Sequence, residues 1–246
     1  MNCKLNLEYL PWDSKQLEIS CGLLDIRDVL DNECKGELIK AEINNLLKEN
    51  SNIKFVTIKL PSLSLSLLHH LVRKGADLID TELTFGFFGN KELTPLVQKD
   101  ISFKFLKKTE SKYFVDLADE MLSSRFYIDE RIGYSKANRL WRESIKNHCE
   151  GFADEVLVAY FKEKLCGIIA IRIKGKRDIN LHIVGVLKEW QRMRVASMML
   201  KQVVNKYKTN SNIYVETQLN NLSAQKVYQL NGFILHHFSY ILHLWR

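Results

Sequence analysis

A chain of 246 residues is long enough for one large domain or two smaller ones, and 46% hydrophobic with 26% charged residues is the composition of a globular protein with a real core. Three prolines and the lack of any low-complexity tract argue against long disordered linkers. Five scattered cysteines (Cys3, Cys21, Cys34, Cys149, Cys166), without a C-x-x-C pair, argue against a disulfide framework or a metal site. The formal charge of +7 favours polyanionic partners, but the Lys and Arg are dispersed and form no helix-turn-helix or RNP pattern, so nucleic acid is not expected.

The N-terminus lacks a basic segment followed by an apolar core, and the charge-free apolar stretch Leu60 to Val72 is too short to span a bilayer. A cytoplasmic protein without membrane association is expected. In chain order, Leu23–Val29 reads as a strand and Lys35–Glu49 as a helix with Leu38, Ile39, Ile43, Leu46 and Leu47 on one side. Ile53–Leu60 is a strand, Ser64–Lys74 a helix stopped by Gly75, and Ala76–Phe88 is rich in β-formers. The polar segment from Gly89-Asn90 to Asp100 is the best boundary. It divides a smaller N-terminal α/β domain (1–98) from a C-terminal domain (99–246).

Past the boundary, Glu110–Leu122 and Tyr134–Asn147 have helical spacing, and a polar segment holding Asp129-Glu130-Arg131 separates them. Val156–Phe161 and Leu165–Ile173 make a hairpin pattern around Lys162-Glu163-Lys164, without the usual Asn-Gly turn. Ile179–Val186 is a strand, Val195–Tyr207 a helix, Asn212–Thr217 a strand and Leu222–Leu230 a helix ending at Asn231-Gly232. Phe233–Trp245 is a β-rich, aromatic tail with the makings of a hairpin, and it suits either a core or a homodimer contact. Strand–helix–strand order here implies locally parallel pairing in a mixed sheet, an α/β (α+β) architecture.

The chemistry concentrates in two stretches. From Val184 to Leu200 a strand runs through a short polar turn into an amphipathic helix, which leaves the first helical N–H groups free to face an anion. From Asn221 to Phe233, Asn221 starts a helix, Ala224 and Tyr228 share a face, and Gly232 stops it. On spacing alone, the first stretch is also what any strand-to-helix connection looks like, and Tyr228 is also an ordinary core tyrosine.

Together the two stretches resemble the GNAT acetyltransferase superfamily, whose first block reads V-x-P-x-x-[QR]-x-x-G-x-[GA] and whose second reads N-x-x-A-x-x-x-Y-x-x-x-G-F. Val186, Gln191 and Ala196 match the first; Asn221, Ala224, Tyr228, Gly232 and Phe233 match the second. Lys188 replaces the family's proline, and Arg194 stands where a glycine normally lets backbone approach phosphate. Leu10-Pro-Trp-Asp-Ser14, Asp80-Thr-Glu-Leu-Thr-Phe85, Ser124-Arg-Phe126 and Val215-Glu-Thr-Gln218 are similar to the bacterial TDP-fucosamine N-acetyltransferases. Those enzymes acetylate the 4-amino group of a dTDP-linked 4-amino-4,6-dideoxyhexose.

The resemblance implies direct acetyl transfer from acetyl-CoA to an amine. It assigns the CoA site to Val184, Val186, Gln191, Arg192, Met193, Arg194, Val195, Ala196, Ser197, Asn221 and Ala224, with the Val186 amide as oxyanion donor. Tyr228 is the candidate general acid for the leaving thiolate, and His182, on the strand before the loop, the candidate base. Arg125, Phe126, Tyr127 and Thr217 are carried over to the nucleotide-sugar acceptor. Two alternatives stay open: a GNAT enzyme for another amine, and a non-catalytic GNAT-like binding module.

Overall fold

The computed structural model describes residues 5–27, 36–89, 92–96, 98–175, 177–208 and 211–246. It divides into two compact units that interleave along the chain: Met1–Leu83 with Arg125–Ala137 and His237–Arg246, and Thr84–Ser124 with Asn138–His236.

The first unit contains β1 (Leu7–Tyr9), α1 (Pro11–Leu17), β2 (Cys21–Asp25), α2 (Gly36–Glu49), β3 (Phe55–Pro61), α3 (Leu65–Arg73), the start of β4 (Ala76–Phe87) and the short α4 (Arg125–Ile128). Most of β10 (Ile234–Trp245) completes it, in the strand order β1-β2-β3-β10-β4. The pair β2–β3 is parallel, with Leu24 opposite Ile58, as a strand–helix–strand unit requires. Ile39 and Ile43 of α2 and Leu71 of α3 close over Val56, Ile58 and Leu242 to form its core.

The predicted strand over Leu23–Val29 lies at Cys21–Asp25, and Val29 is outside the described residues. So are Lys35 at the start of the first helix, Asn90 in the boundary segment, and Cys3 and Cys34. The C-terminal tail is not a hairpin. It is a single strand of 12 residues, because nothing between Phe233 and Trp245 can turn the chain. Ser239, the one small polar residue there, is buried opposite Pro61 in an unbroken antiparallel register that ends at Trp245 opposite Phe55.

Two buried carboxylates organise this unit. Glu82 accepts from Lys59 Nζ at 2.8 Å and from Arg27 Nη1 at 3.3 Å, and Arg125 Nη1 lies 3.9 Å away. Burial opposes the anion, yet the charges of Lys59 and Arg125 hold its carboxyl below the usual range. Asp129, in the polar segment between the two predicted helices, accepts from His243 Nδ1 at 2.7 Å, Arg131 Nε at 2.8 Å and Trp245 Nε1 at 2.9 Å. Those bonds overcome burial and pull its carboxyl well below the ordinary carboxylate range.

The second unit contains β5 (Ile101–Leu106), most of α5 (Tyr134–Asn147), β6 (Glu155–Phe161), β7 (Lys164–Lys174), β8 (Asp178–Val186), α6 (Val195–Tyr207), β9 (Asn212–Gln218) and α7 (Leu222–Leu230). With the end of β4 its strand order is β4-β9-β8-β7-β6-β5. Strands β5 to β8 pair antiparallel and β8–β9 parallel, with α6 as the crossover, so the sheet is mixed as the strand and helix order implies. Its core gathers Phe114, Leu117, Ile145, Val156, Val158, Ile168 and Ile183.

The helix predicted over Glu110–Leu122 is not formed. Two short 3₁₀ turns, Ser111–Tyr113 and Val115–Glu120, take its place. Their bonds run three residues back, from Phe114 N–H to the Ser111 carbonyl and from Leu117 N–H to that of Phe114. Phe114 and Leu117, three apart, are thereby both buried. The hairpin between β6 and β7 turns on Lys162 and Glu163, both at positive φ (45° and 73°), a conformation normally left to Asn-Gly. Among the described residues no helix is long and apolar enough to cross a membrane.

Candidate active site

The site grows from a disruption in β8. Ala170 of β7 faces Ile183 and Ile171 faces Leu181, so His182 is an extra residue bulged out of the ladder. Parallel pairing with β9 stops at the same place. Its last pair is Leu181 opposite Val215, although β8 runs on to Val186 and β9 to Gln218. Beyond the bulge the two strands therefore part, and the β9-facing edge of β8 is left without its ladder.

Which groups face that opening follows from the β7 side. Leu187 N–H donates to the Cys166 carbonyl at 3.0 Å, flanking the pair Gly167–Val186. Val186 thus sits in a non-hydrogen-bonded position toward β7, and its own N–H and C=O point the other way, into the split. The Gln191 side chain holds that carbonyl through Nε2 at 3.2 Å and also donates to Glu120 at 3.1 Å. The Val186 N–H remains as a donor aimed where an acyl oxygen can lie. Gly185 lets this strand pack closely: a Cβ there would stand 2.9 Å from Leu117 Cδ1.

After a short turn at Lys188–Trp190 the chain reaches α6 through two left-handed residues, Arg192 (φ 63°) and Arg194 (φ 59°). Arg194 is the N-cap of α6 and makes no side-chain cap, since a guanidinium has only donors. Met198 N–H is the residue that closes the first turn, onto the Arg194 carbonyl at 3.0 Å. The N–H groups of Val195, Ala196 and Ser197 precede that ladder and form the positive end of a 13-residue helix. This donor set, with exposed Arg192 and Arg194 beside it, fits a phosphate chain.

Helix α7 is built as its sequence suggests. Asn221 Oδ1 accepts from Ala224 N–H at 3.2 Å as the N-cap, and Gly232 takes φ 82° just past the end. Tyr228 is buried, with rings of Phe85 at 5.7 Å and Phe233 at 6.1 Å. That burial pushes its phenol up, so the hydroxyl stays protonated at neutral pH. Asn231 Nδ2 donates to Ser197 Oγ at 3.0 Å and ties the end of α7 to the first turn of α6.

Val184, Val186, Gln191 to Ser197, Thr217, Asn221, Ala224, Tyr228 and His182 all belong to this second unit. Thr217 is buried on β9 beyond the last β8 pair. Arg125, Phe126 and Tyr127 belong to the first unit. The Arg125 guanidinium lies 4.5 Å from the Phe126 ring centroid, and its Nε is buried without a hydrogen-bond partner. Tyr127 packs on Tyr134 at 5.3 Å.

Three contributors escape sequence reading: Glu120 and Asn231, which brace Gln191 and Ser197, and His148. His148 lies in the wide turn after α5, with Nε2 at 3.2 Å from His182 Nδ1. The Asn231-Gly232 stop was a usable signal for Asn231, but nothing in the sequence pairs His148 with a residue 34 positions away. Desolvation of the ring, followed by the nearness of the second imidazole, His148, and the charges of Arg172 and Lys174, pushes the His182 imidazole down to about 4.

The model of the Acetyltransferase (GNAT) family matches residues 103–233. Among curated proteins the chain is similar to the spore coat polysaccharide biosynthesis protein SpsD of Bacillus subtilis, 24% identical over 129 residues, or 52% of this chain and 44% of that protein. The match thus spans less than half of that relative. Among solved structures the chain is similar to a functionally unknown conserved protein from Staphylococcus epidermidis, with TM-score 0.68, 17% identity and coverage of 99% and 91% of the two chains. A GCN5-related N-acetyltransferase from Sphaerobacter thermophilus follows, with TM-score 0.65, 11% identity and coverage of 98% and 76%. At these identities the structural likeness establishes the fold.

Proposed function

We propose that this chain, which belongs to the acetyltransferase (GNAT) family, is an acetyl-CoA-dependent N-acetyltransferase acting on the 4-amino group of a dTDP-linked 4-amino-4,6-dideoxy sugar. The observation that carries the transfer reaction is the split between β8 and β9, with the Val186 N–H on its edge and the uncapped first turn of α6 beyond. Acetyl-CoA supplies the activated acyl group. Val195, Ala196 and Ser197 hold its phosphates, while Val186 N–H receives the thioester carbonyl and stabilises the charge that develops there. Tyr228 protonates the leaving thiolate, and His182 accepts the amine proton. A thiol of pKa about 8.5 leaves readily near neutral pH, so the phenol assists rather than carries the step.

The sugar acceptor is supported by the short motifs along the whole chain and by the curated relative's name in polysaccharide biosynthesis. Within this reading the family resemblance assigns Arg125, Phe126, Tyr127 and Thr217 to the nucleotide sugar, with the Arg125 guanidinium matched to its diphosphate. The division into domains 1–98 and 99–246 is proposed on the same footing; the family match lies wholly C-terminal of it. The test is an acceptor panel of dTDP-linked amino sugars, free amino sugars, lysine peptides and polyamines, with acetyl-CoA and thiol release as readout. Release confined to the nucleotide sugars supports the assignment. Preferential release with a peptide or polyamine replaces the acceptor, and no release with any amine removes the activity.

A further inference from the structure

The pair formed by His148 and His182 has a direction fixed by its surroundings. His148 Nδ1 lies 2.7 Å from the Ser144 carbonyl oxygen, which offers only lone pairs. The proton of a neutral His148 is therefore on Nδ1, and its Nε2 is an acceptor. His182 Nδ1, 3.2 Å from that Nε2, must then be the donor. This leaves the lone pair of His182 on Nε2, the ring nitrogen turned away from His148.

We propose that His148 is a positioning residue for the transfer, holding His182 in the Nδ1–H tautomer so that Nε2 is the proton acceptor. This rests on the reading of His182 as the base. His148 is itself fixed from two sides. Its ring is buried and stands edge-on to Phe152 at 4.9 Å, and Phe152 carries the Arg172 guanidinium at 4.8 Å from its ring centroid. The turn that delivers it depends on Gly151 at φ 124°, where a side chain is strained and would also meet Lys108 Cε at 2.9 Å.

The charged and titratable groups facing His182 are Arg172 and Lys174 of β7, Asp154 before β6, and His148 from the turn. Desolvation of the ring and the two cations, Arg172 and Lys174, favour the neutral ring, which keeps the lone pair available. When the amine attacks, its lone pair forms the C–N bond and its proton passes to His182 Nε2. The C–S bond breaks with its electron pair going to sulfur, which takes the Tyr228 proton. The resulting imidazolium is stabilised because its Nδ1–H already donates to His148 Nε2.

The experiment pairs histidine ¹⁵N NMR with kinetics on acetyl-CoA and the dTDP-linked amino sugar. Wild-type His182 is expected as the Nδ1–H tautomer, a readout that needs no acceptor substrate. His148→Phe keeps the ring volume but removes the acceptor. It should release His182 to the Nε2–H form and lower kcat about 10-fold or more, with the KM for acetyl-CoA unchanged. His148→Gln, whose amide oxygen can accept from His182 Nδ1, should restore most of the rate. An Nε2–H tautomer in the wild type overturns the proposal even if His148→Phe fails to fold. Wild-type turnover by His182→Ala overturns the base assignment and this proposal with it. A slow His182→Ala beside a His148→Phe of unchanged rate and tautomer overturns the positioning role alone.

Discussion

Arg194 offers a stability experiment whose size follows from the backbone. Its φ of 59° and ψ of 16° place a non-glycine residue in the left-handed region at the N-cap of α6, at a cost of roughly 1–2 kcal/mol. Glycine relieves that strain but adds unfolded-state entropy worth about 0.5–1 kcal/mol. Removing a cation from the positive end of a helix contributes about 0.3–1 kcal/mol more. Arg194→Gly should therefore stabilise the protein by about 1 kcal/mol, raising Tm by about 2–4 °C for a chain of this size. Arg194→Ala shares the charge removal but keeps the strained φ, so the difference between the two variants isolates the backbone term. Thermal melts of wild type and both variants, in one buffer, are the assay. A glycine variant no more stable than the alanine variant refutes the argument that this loop stores left-handed strain.

Other positions give equally concrete outcomes. Lys162→Asn with Glu163→Gly, which suit the two positive-φ turn positions, should stabilise by about 1 kcal/mol, read as a higher denaturant midpoint at constant slope. Asn221→Ala removes the cap on α7 and should cost about 1 kcal/mol in the same titration. Tyr228→Phe should lower kcat by about 10- to 1000-fold while the melt stays cooperative; wild-type turnover would reject the phenol as the acid. His182, His148 and His243 are all held below the ordinary imidazole value by burial, so between about pH 6.5 and 4 the unfolded chain binds more protons than the folded one. Stability should fall as pH is lowered through that window, and Tm measured from pH 7 to 4 checks it. A flat profile would contradict these burial shifts. The Asp129 contribution is lost only as the pH falls below the ordinary carboxylate range.

What the sequence reveals tracks how local the cause is. The strong period of Val195–Tyr207, the Asn221 cap and the Gly232 stop depend on neighbours along the chain, and each stands where the spacing puts it. Ile101–Leu106 alternates Ile, Phe and Phe with polar residues, a strand pattern as local as these, and it forms β5 directly after the polar boundary segment. Glu110–Leu122 misleads because spacings of three and four serve both α-helical and 3₁₀ burial, and in the 3₁₀ form Leu117 packs closely on Gly185. The bulge at His182, the parting of β8 from β9 and the His148 partner are long-range pairings that no window of the sequence contains. The substitution at Arg194 was visible, but its left-handed backbone was not.

The most direct measurement is the mass of a dTDP-4-amino-4,6-dideoxyhexose before and after incubation with the protein and acetyl-CoA, with the intact protein weighed alongside. The nucleotide sugar should be heavier by one acetyl group, CoA released in equimolar amount and the protein unmodified, because transfer is direct from thioester to amine. An unchanged nucleotide sugar beside intact acetyl-CoA, or an acetylated protein on the path to product, would contradict it.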